Sequence, residues 1–176
     1  AIQYPSLNIR GMSAACVGEQ ARTIIPPTET AELDIRLVTE SDPERLMGLL
    51  RAHIESLGYT VLDRAPTGDQ RRQFDRVVSL DHELSYGAFR SDMDSAAGRM
   101  ARAGLEALYG AEPILIRTMG GSIPIAPIIE ALDVPAAIVP TVNIDNNQHS
   151  PNENLRLGNF VEGIAMLMAV LGQAPP

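Results

Sequence analysis

The stretch NNQHSPNENL, residues 146–155, sets one histidine among asparagines, just ahead of an apolar run that reads as a helix. His149 serves either chemistry or ordinary loop punctuation. Its neighbours need no chemistry. Ser150, Pro151 and Glu153 fit a capping box, with Ser150 at the N-cap, Pro151 at N1 and Glu153 at N3. His149 has no such explanation, because the residue before an N-cap is often apolar and staples the first turn. A histidine there stands beside the positive end of the helix dipole. That field disfavours imidazolium and favours the neutral ring that a metal ligand must be.

A second stretch, RTMGGSIP at 117–124, follows an apolar run and precedes a helical one. Gly120 and Gly121 at a strand-to-helix turn would let backbone N–H groups approach an anion. Ser122 either caps that helix or donates to a ligand; a tight turn with a serine cap is the commoner outcome. Thr23 and Arg36 flank a Pro-Pro break. Arg36 could bind a carboxylate with both arms of its guanidinium, and it could equally pair with Glu32 or Asp34 as a solvated surface. His53 reads as a surface or boundary residue of a helix, and His82 has no metal-ligand spacing around it. Cys16, the single cysteine, reads as a buried structural thiol among small and apolar neighbours.

These residues need elements to hold them. The chain has 176 residues, 45% of them hydrophobic, which suits one domain or two small ones with a core. Net charge is −8, and all fourteen basic residues are arginine. An acidic chain without a clustered basic face argues against nucleic acid and anionic membrane as partners. No apolar run reaches a bilayer span and no signal peptide is visible. One cysteine permits no internal disulfide, so a reducing cytoplasm is the default.

Residues 6–17 lean to strand, with a glycine that marks a bulge. In the next strand Ala31, Leu33, Ile35 and Leu37 alternate with Glu32, Asp34 and Arg36, the period of a half-exposed sheet. Residues 41–58 read as a helix capped by Ser41 or Asp42 and ended by Gly58, and 59–64 as another strand. This order predicts an open-faced α+β sandwich lacking a first strand and helix. The polar stretch 65–73 is the best internal boundary. Beyond it, helices at 94–109, 125–132 and 153–171 alternate with apolar strands at 112–118 and 136–142, the pattern of a covered parallel sheet.

Three stretches in register, residues 21–46, 120–124 and 147–155, resemble the M20 family of zinc-dependent peptidases, in particular its carnosinase-like dipeptidase branch. The resemblance implies an α/β and α+β fold. Residues 1–68 would form a partial ferredoxin-like lid, β-β-α-β, that also dimerises. Residues 69–176 would be the C-terminal α/β part of a phosphorylase/hydrolase-like catalytic domain. It implies two zinc ions, with manganese or cobalt as alternatives, and a small peptide substrate. It makes His149 a metal ligand, Arg36 the holder of the substrate's terminal carboxylate, Thr23 a lid residue near the substrate, and Gly121 and Ser122 part of a substrate-contacting loop. The family's upstream His-x-Asp and Glu-Glu motifs, the second of which carries the general base, are missing from this sequence. The expectation is therefore the C-terminal portion of a cytoplasmic, homodimeric dipeptidase, inactive alone. The alternative is a non-catalytic dimerisation or regulatory module.

Overall fold

The computed structural model describes residues 2–121 and 123–174. They form a mixed α/β structure of small sheets and helices in two compact units, one running to Phe89 and the other starting at Arg90.

In the first unit, β1 (Ser6–Ser13) and β2 (Thr30–Arg36) pair antiparallel. The register slips between Ile9 and Gly11, so Arg10 is accommodated as an extra residue. That is the bulge the glycine announces. Helix α1 (Pro43–Ser56) starts where the sequence predicts: the Asp42 carboxylate accepts the Arg45 N–H at 3.1 Å, with Pro43 in the first turn. The chain leaves it through Gly58, at φ 86°, a left-handed turn that suits glycine. Strand β3 (Thr60–Leu62) follows, so the order β-β-α-β holds.

The partner of β3 is not in the first sheet. It pairs parallel with β4 (Val77–Ser79), across the short helix α2 (Gly68–Gln73). Neither β4 nor α2 was expected. Thr67-x-x-Gln70 is a complete capping box, with the Thr67 hydroxyl accepting the Gln70 N–H and the Gln70 side chain accepting the Thr67 N–H. Arg51 donates to the Val61 carbonyl and pairs with Asp63, tying α1 to the end of β3.

The second unit is built on α3 (Ala96–Tyr109), α4 (Ala126–Leu132) and α5 (Leu157–Leu171), with α3 packed on α5. Ser95 caps α3 and Gly110, at φ 68°, ends it. The Tyr109 hydroxyl donates to Glu162 at 2.7 Å and adds a polar link between the two helices. The expected strands at 112–118 and 136–142 do not form. A strand exists only through a neighbour's N–H and C=O groups, and these segments find none here. Their side chains show it: Ile114 is 92% exposed. Among the described residues the parallel pairing is β3–β4 instead.

Little is buried. Among the described residues, the buried apolar side chains are Ala101 and Ala126. The accessible surface is 13746 Å² for 19.0 kDa, more than the roughly 10,000 Å² that two separate globules of half this mass would expose. No helix among the described residues is long and apolar enough to cross a membrane.

Candidate functional site

Thr23 and Arg36 belong to the first unit, Gly121 and His149 to the second. Thr23 is exposed on the Pro-Pro loop. The same loop is held farther along, where the Arg71 guanidinium donates to the Pro27 carbonyl at 3.1 Å. Arg36 closes β2, and its Nε donates to Asp34 Oδ2 at 2.6 Å. The pairing with Asp34 that the sequence allows is therefore present. It also fixes one edge of a guanidinium that remains more than half exposed.

Gly121 is exposed, and a Cβ there would meet only the flexible end of Met119 at an ordinary 3.6 Å. Its glycine character is not forced by crowding. Ser122 lies outside the described residues. Helix α4 starts from Ile125 with no side-chain cap.

His149 departs most from its predicted setting. Helix α5 begins at Leu157, not at Pro151, with Arg156 as its N-cap and no side-chain cap. Ser150, Pro151 and Glu153 do not form a capping box, and His149 does not stand at a helix N-terminus. His149 lies instead in a chain of tight turns, exposed, at φ 62°. Asn147 and Asn152 share this left-handed conformation, at φ 52° and 63°. Asn tolerates that region better than most residues, and His is enriched there too.

Hydrogen bonds explain why the loop wins over the helix. The Ser150 N–H donates to the Asn147 carbonyl at 2.9 Å, and the Gln148 N–H to Asn146 Oδ1 at 2.9 Å. Across the loop, the Asn154 N–H donates to the Asn146 carbonyl at 2.8 Å. At its base sits Asn143, the buried polar residue, 5% exposed. Its Nδ2 donates to Asp145 Oδ1 at 2.9 Å and to Asn154 Oδ1 at 3.2 Å, and its Oδ1 accepts the Arg156 N–H at 3.1 Å. Arg156 also pairs with Asp145. The Asn143 hydrogen bond holds the Asp145 carboxyl below its ordinary range, against a smaller opposing effect of burial, with Arg156 assisting. Sequence reasoning missed Asn143. An asparagine within an asparagine-rich stretch reads as loop, and its hub role depends on contacts up to thirteen residues away.

Cys16 is a free, exposed thiol rather than a buried one, and its neighbours after β1 are exposed with it. His82 Nε2 lies 3.7 Å from Glu44 in the first unit, and His53 is exposed on α1. Among the described residues no three His, Cys, Asp or Glu side chains are grouped to hold a metal ion. The donors grouped among the described residues therefore do not make up a whole metal site, which takes about three protein ligands.

No protein-family model matches the chain. It is 31% identical over 170 residues to the Cys-Gly metallodipeptidase DUG1 of Saccharomyces cerevisiae, covering 96% of this chain and 33% of that protein. It is 24% identical over 168 residues to the human Beta-Ala-His dipeptidase, covering 95% of this chain and 31% of that protein. The solved structure of the dipeptidase Dug1p from Saccharomyces cerevisiae superposes with a TM-score of 0.68 at 30% identity, over 96% of this chain and 33% of that one. The M20 family metallo-carboxypeptidase Sso-CP2 from Sulfolobus solfataricus shares the fold, with a TM-score of 0.71 at 24% identity, over 96% of this chain and 35% of that one. The chain spans about a third of the length of the curated relatives it matches. Across nearly all of its residues this chain is similar in sequence to metallodipeptidases and in fold to a solved M20 family metallo-carboxypeptidase.

Proposed function

We propose that this chain is the C-terminal portion of a metal-dependent M20-like peptidase that hydrolyses dipeptides or related amides, and that it is inactive by itself. The observation that carries this reading is continuous likeness to metallodipeptidases over 96% of the chain but only a third of their length. The unusually large exposed surface supports it: apolar segments such as 112–118 and helix α5 await covering.

In this reading residues 1–68 are lid and 69–176 catalytic domain. His149 is one ligand of a two-zinc centre, with the other ligands and the general base supplied from outside this chain. When bound, such ions supply Lewis-acid activation of water and of the scissile carbonyl. This chain's residues do the holding. The left-handed loop presents the His149 imidazole. Arg36, oriented by Asp34, takes the substrate's terminal carboxylate. Thr23 lies close to the substrate, and Gly121 and Ser122 contact its backbone or carboxylate. Assembly is a homodimer through the lid, whose β1–β2 sheet has two strands among the described residues and so offers edges for pairing. The setting is cytoplasmic, in keeping with an exposed free thiol at Cys16.

The test is His149→Ala in the longer protein that carries the remaining two thirds. Loss of a direct ligand should lower dipeptide turnover by at least about 100-fold, with the circular dichroism of the fold retained. Near-normal turnover with normal metal content would sink the assignment.

A further inference from the structure

The His149 loop has a keystone that the proposed chemistry does not use. We propose that Asn143 is the positioning residue of this loop, its carboxamide bracing the loop's two ends so that His149 is presented in a single left-handed turn. The proposal rests on the reading of His149 as a metal ligand.

Four observations carry it. Asn143 is buried while the loop it supports is exposed. Its side chain bonds both limbs: Asp145 on the ascending one, Asn154 and the Arg156 N–H on the descending one. The base of the loop is itself anchored, because a Cβ on the buried Gly163 of α5 would stand 3.0 Å from Thr141 Cβ, so this stretch lies directly against the helix. Finally, the loop holds three non-glycine residues at positive φ, Asn147, His149 and Asn152. Such conformations cost free energy and persist only where surrounding contacts determine them.

Only a primary amide of this length meets the two demands at position 143. Its oxygen must accept the Arg156 N–H, and its nitrogen must face the Asp145 carboxylate and Asn154 Oδ1. Aspartate would satisfy Arg156 but set one carboxylate against another at Asp145. Alanine would leave the part-buried Arg156 N–H without this acceptor.

The experiment uses the full-length protein and reads Zn(II) affinity by chelator competition, the visible spectrum of the Co(II)-loaded form, and thermal stability. Asn143→Ala and Asn143→Asp should weaken metal binding about 10-fold or more, as loss of support behind a ligand does, and should shift the Co(II) bands. The exchanged pair Asn143→Asp with Asp145→Asn restores a donor opposite an acceptor at no change in net charge. It should recover part of the affinity that Asn143→Asp loses, since Asn154 Oδ1 still lacks its donor and Asp145 no longer pairs with Arg156, and it carries the test if Asn143→Ala fails to fold. Tyr109→Phe, which removes the Tyr109–Glu162 bond in the same unit, controls for simple destabilisation and should leave the metal signals unchanged. Wild-type affinity and spectrum in Asn143→Ala, or no recovery in the exchanged pair, would overturn the role of Asn143. If His149→Ala also keeps wild-type affinity, the ligand reading itself has failed, and the two failures are told apart.

Discussion

Gly104 of α3 and Val170 of α5 meet backbone to backbone: a Cβ on Gly104 would stand 2.5 Å from Val170 Cα and 2.8 Å from the Ala169 carbonyl oxygen. No side chain can yield there, since the obstacle is main chain. We expect Gly104→Ala to force the two helices apart and to cost about 1–3 kcal/mol, the range of overpacked cores. Gly158, near the start of α5, has open space where its Cβ would be, so Gly158→Ala serves as the contrast and should be neutral or mildly stabilising. Urea titration of both variants checks this. Equal midpoints would mean that the α3–α5 contact is not what holds the second unit.

The depressed Asp145 carboxyl gives a pH dependence with a definite sign. A lowered folded-state value means a contribution to stability that is present above the group's ordinary value of 3.8 and is lost as pH falls through the folded value. The Asn143 hydrogen bond is the first cause. In Asn143→Ala the Asp145 titration should therefore move back up, as read from its side-chain carboxyl carbon by NMR. An unmoved midpoint would show that Asn143 does not set this carboxylate.

Much of the first unit was legible in the sequence because its signals are local. Asp42 and Pro43 fix the start of α1, and the alternation through Leu33 and Ile35 marks β2. The box Thr67-x-x-Gln70 was equally local and would have located α2. What failed was non-local. The runs 112–118 and 136–142 have strand-like composition, but composition states how a segment is buried, not whether a neighbour within this chain will bond it. Ser150 to Glu153 carries a sound capping pattern that loses to Asn143, whose carboxamide takes the Arg156 N–H and delays α5 to Leu157. His149 was visible by residue type, and its left-handed setting was not.

Arg36→Ala tests substrate binding apart from metal binding. A two-pronged carboxylate contact is worth about 1.5–3 kcal/mol, so KM for a dipeptide with a free C-terminus should rise roughly 10-fold to 100-fold by that energy. Metal content should not change. A C-terminally amidated dipeptide should lose most of the difference between wild type and variant. If Arg36→Ala has wild-type kinetics on both substrates, Arg36 is only the surface partner of Asp34.

By itself this chain should neither hold zinc tightly nor turn over dipeptides. A catalytic zinc takes about three protein ligands, and the proposed reading supplies one here, His149. The nearby acid Asp145 is engaged by Asn143 and Arg156. His53 and His82 lie in the first unit, His82 beside Glu44. The exposed apolar face of α5, with Phe160, Val161, Met168 and Leu171 open to solvent, should also make the isolated chain self-associate. Metal analysis after dialysis should find zinc well below one ion per chain, and a Cys-Gly hydrolysis assay with added zinc or manganese should give no turnover above buffer. Light scattering should show aggregation that falls when the chain is joined to the remainder of the enzyme that the proposed reading calls for. Stoichiometric zinc together with turnover would mean that this chain builds a complete site of its own, and the reading of it as one part of a larger enzyme would have to be abandoned.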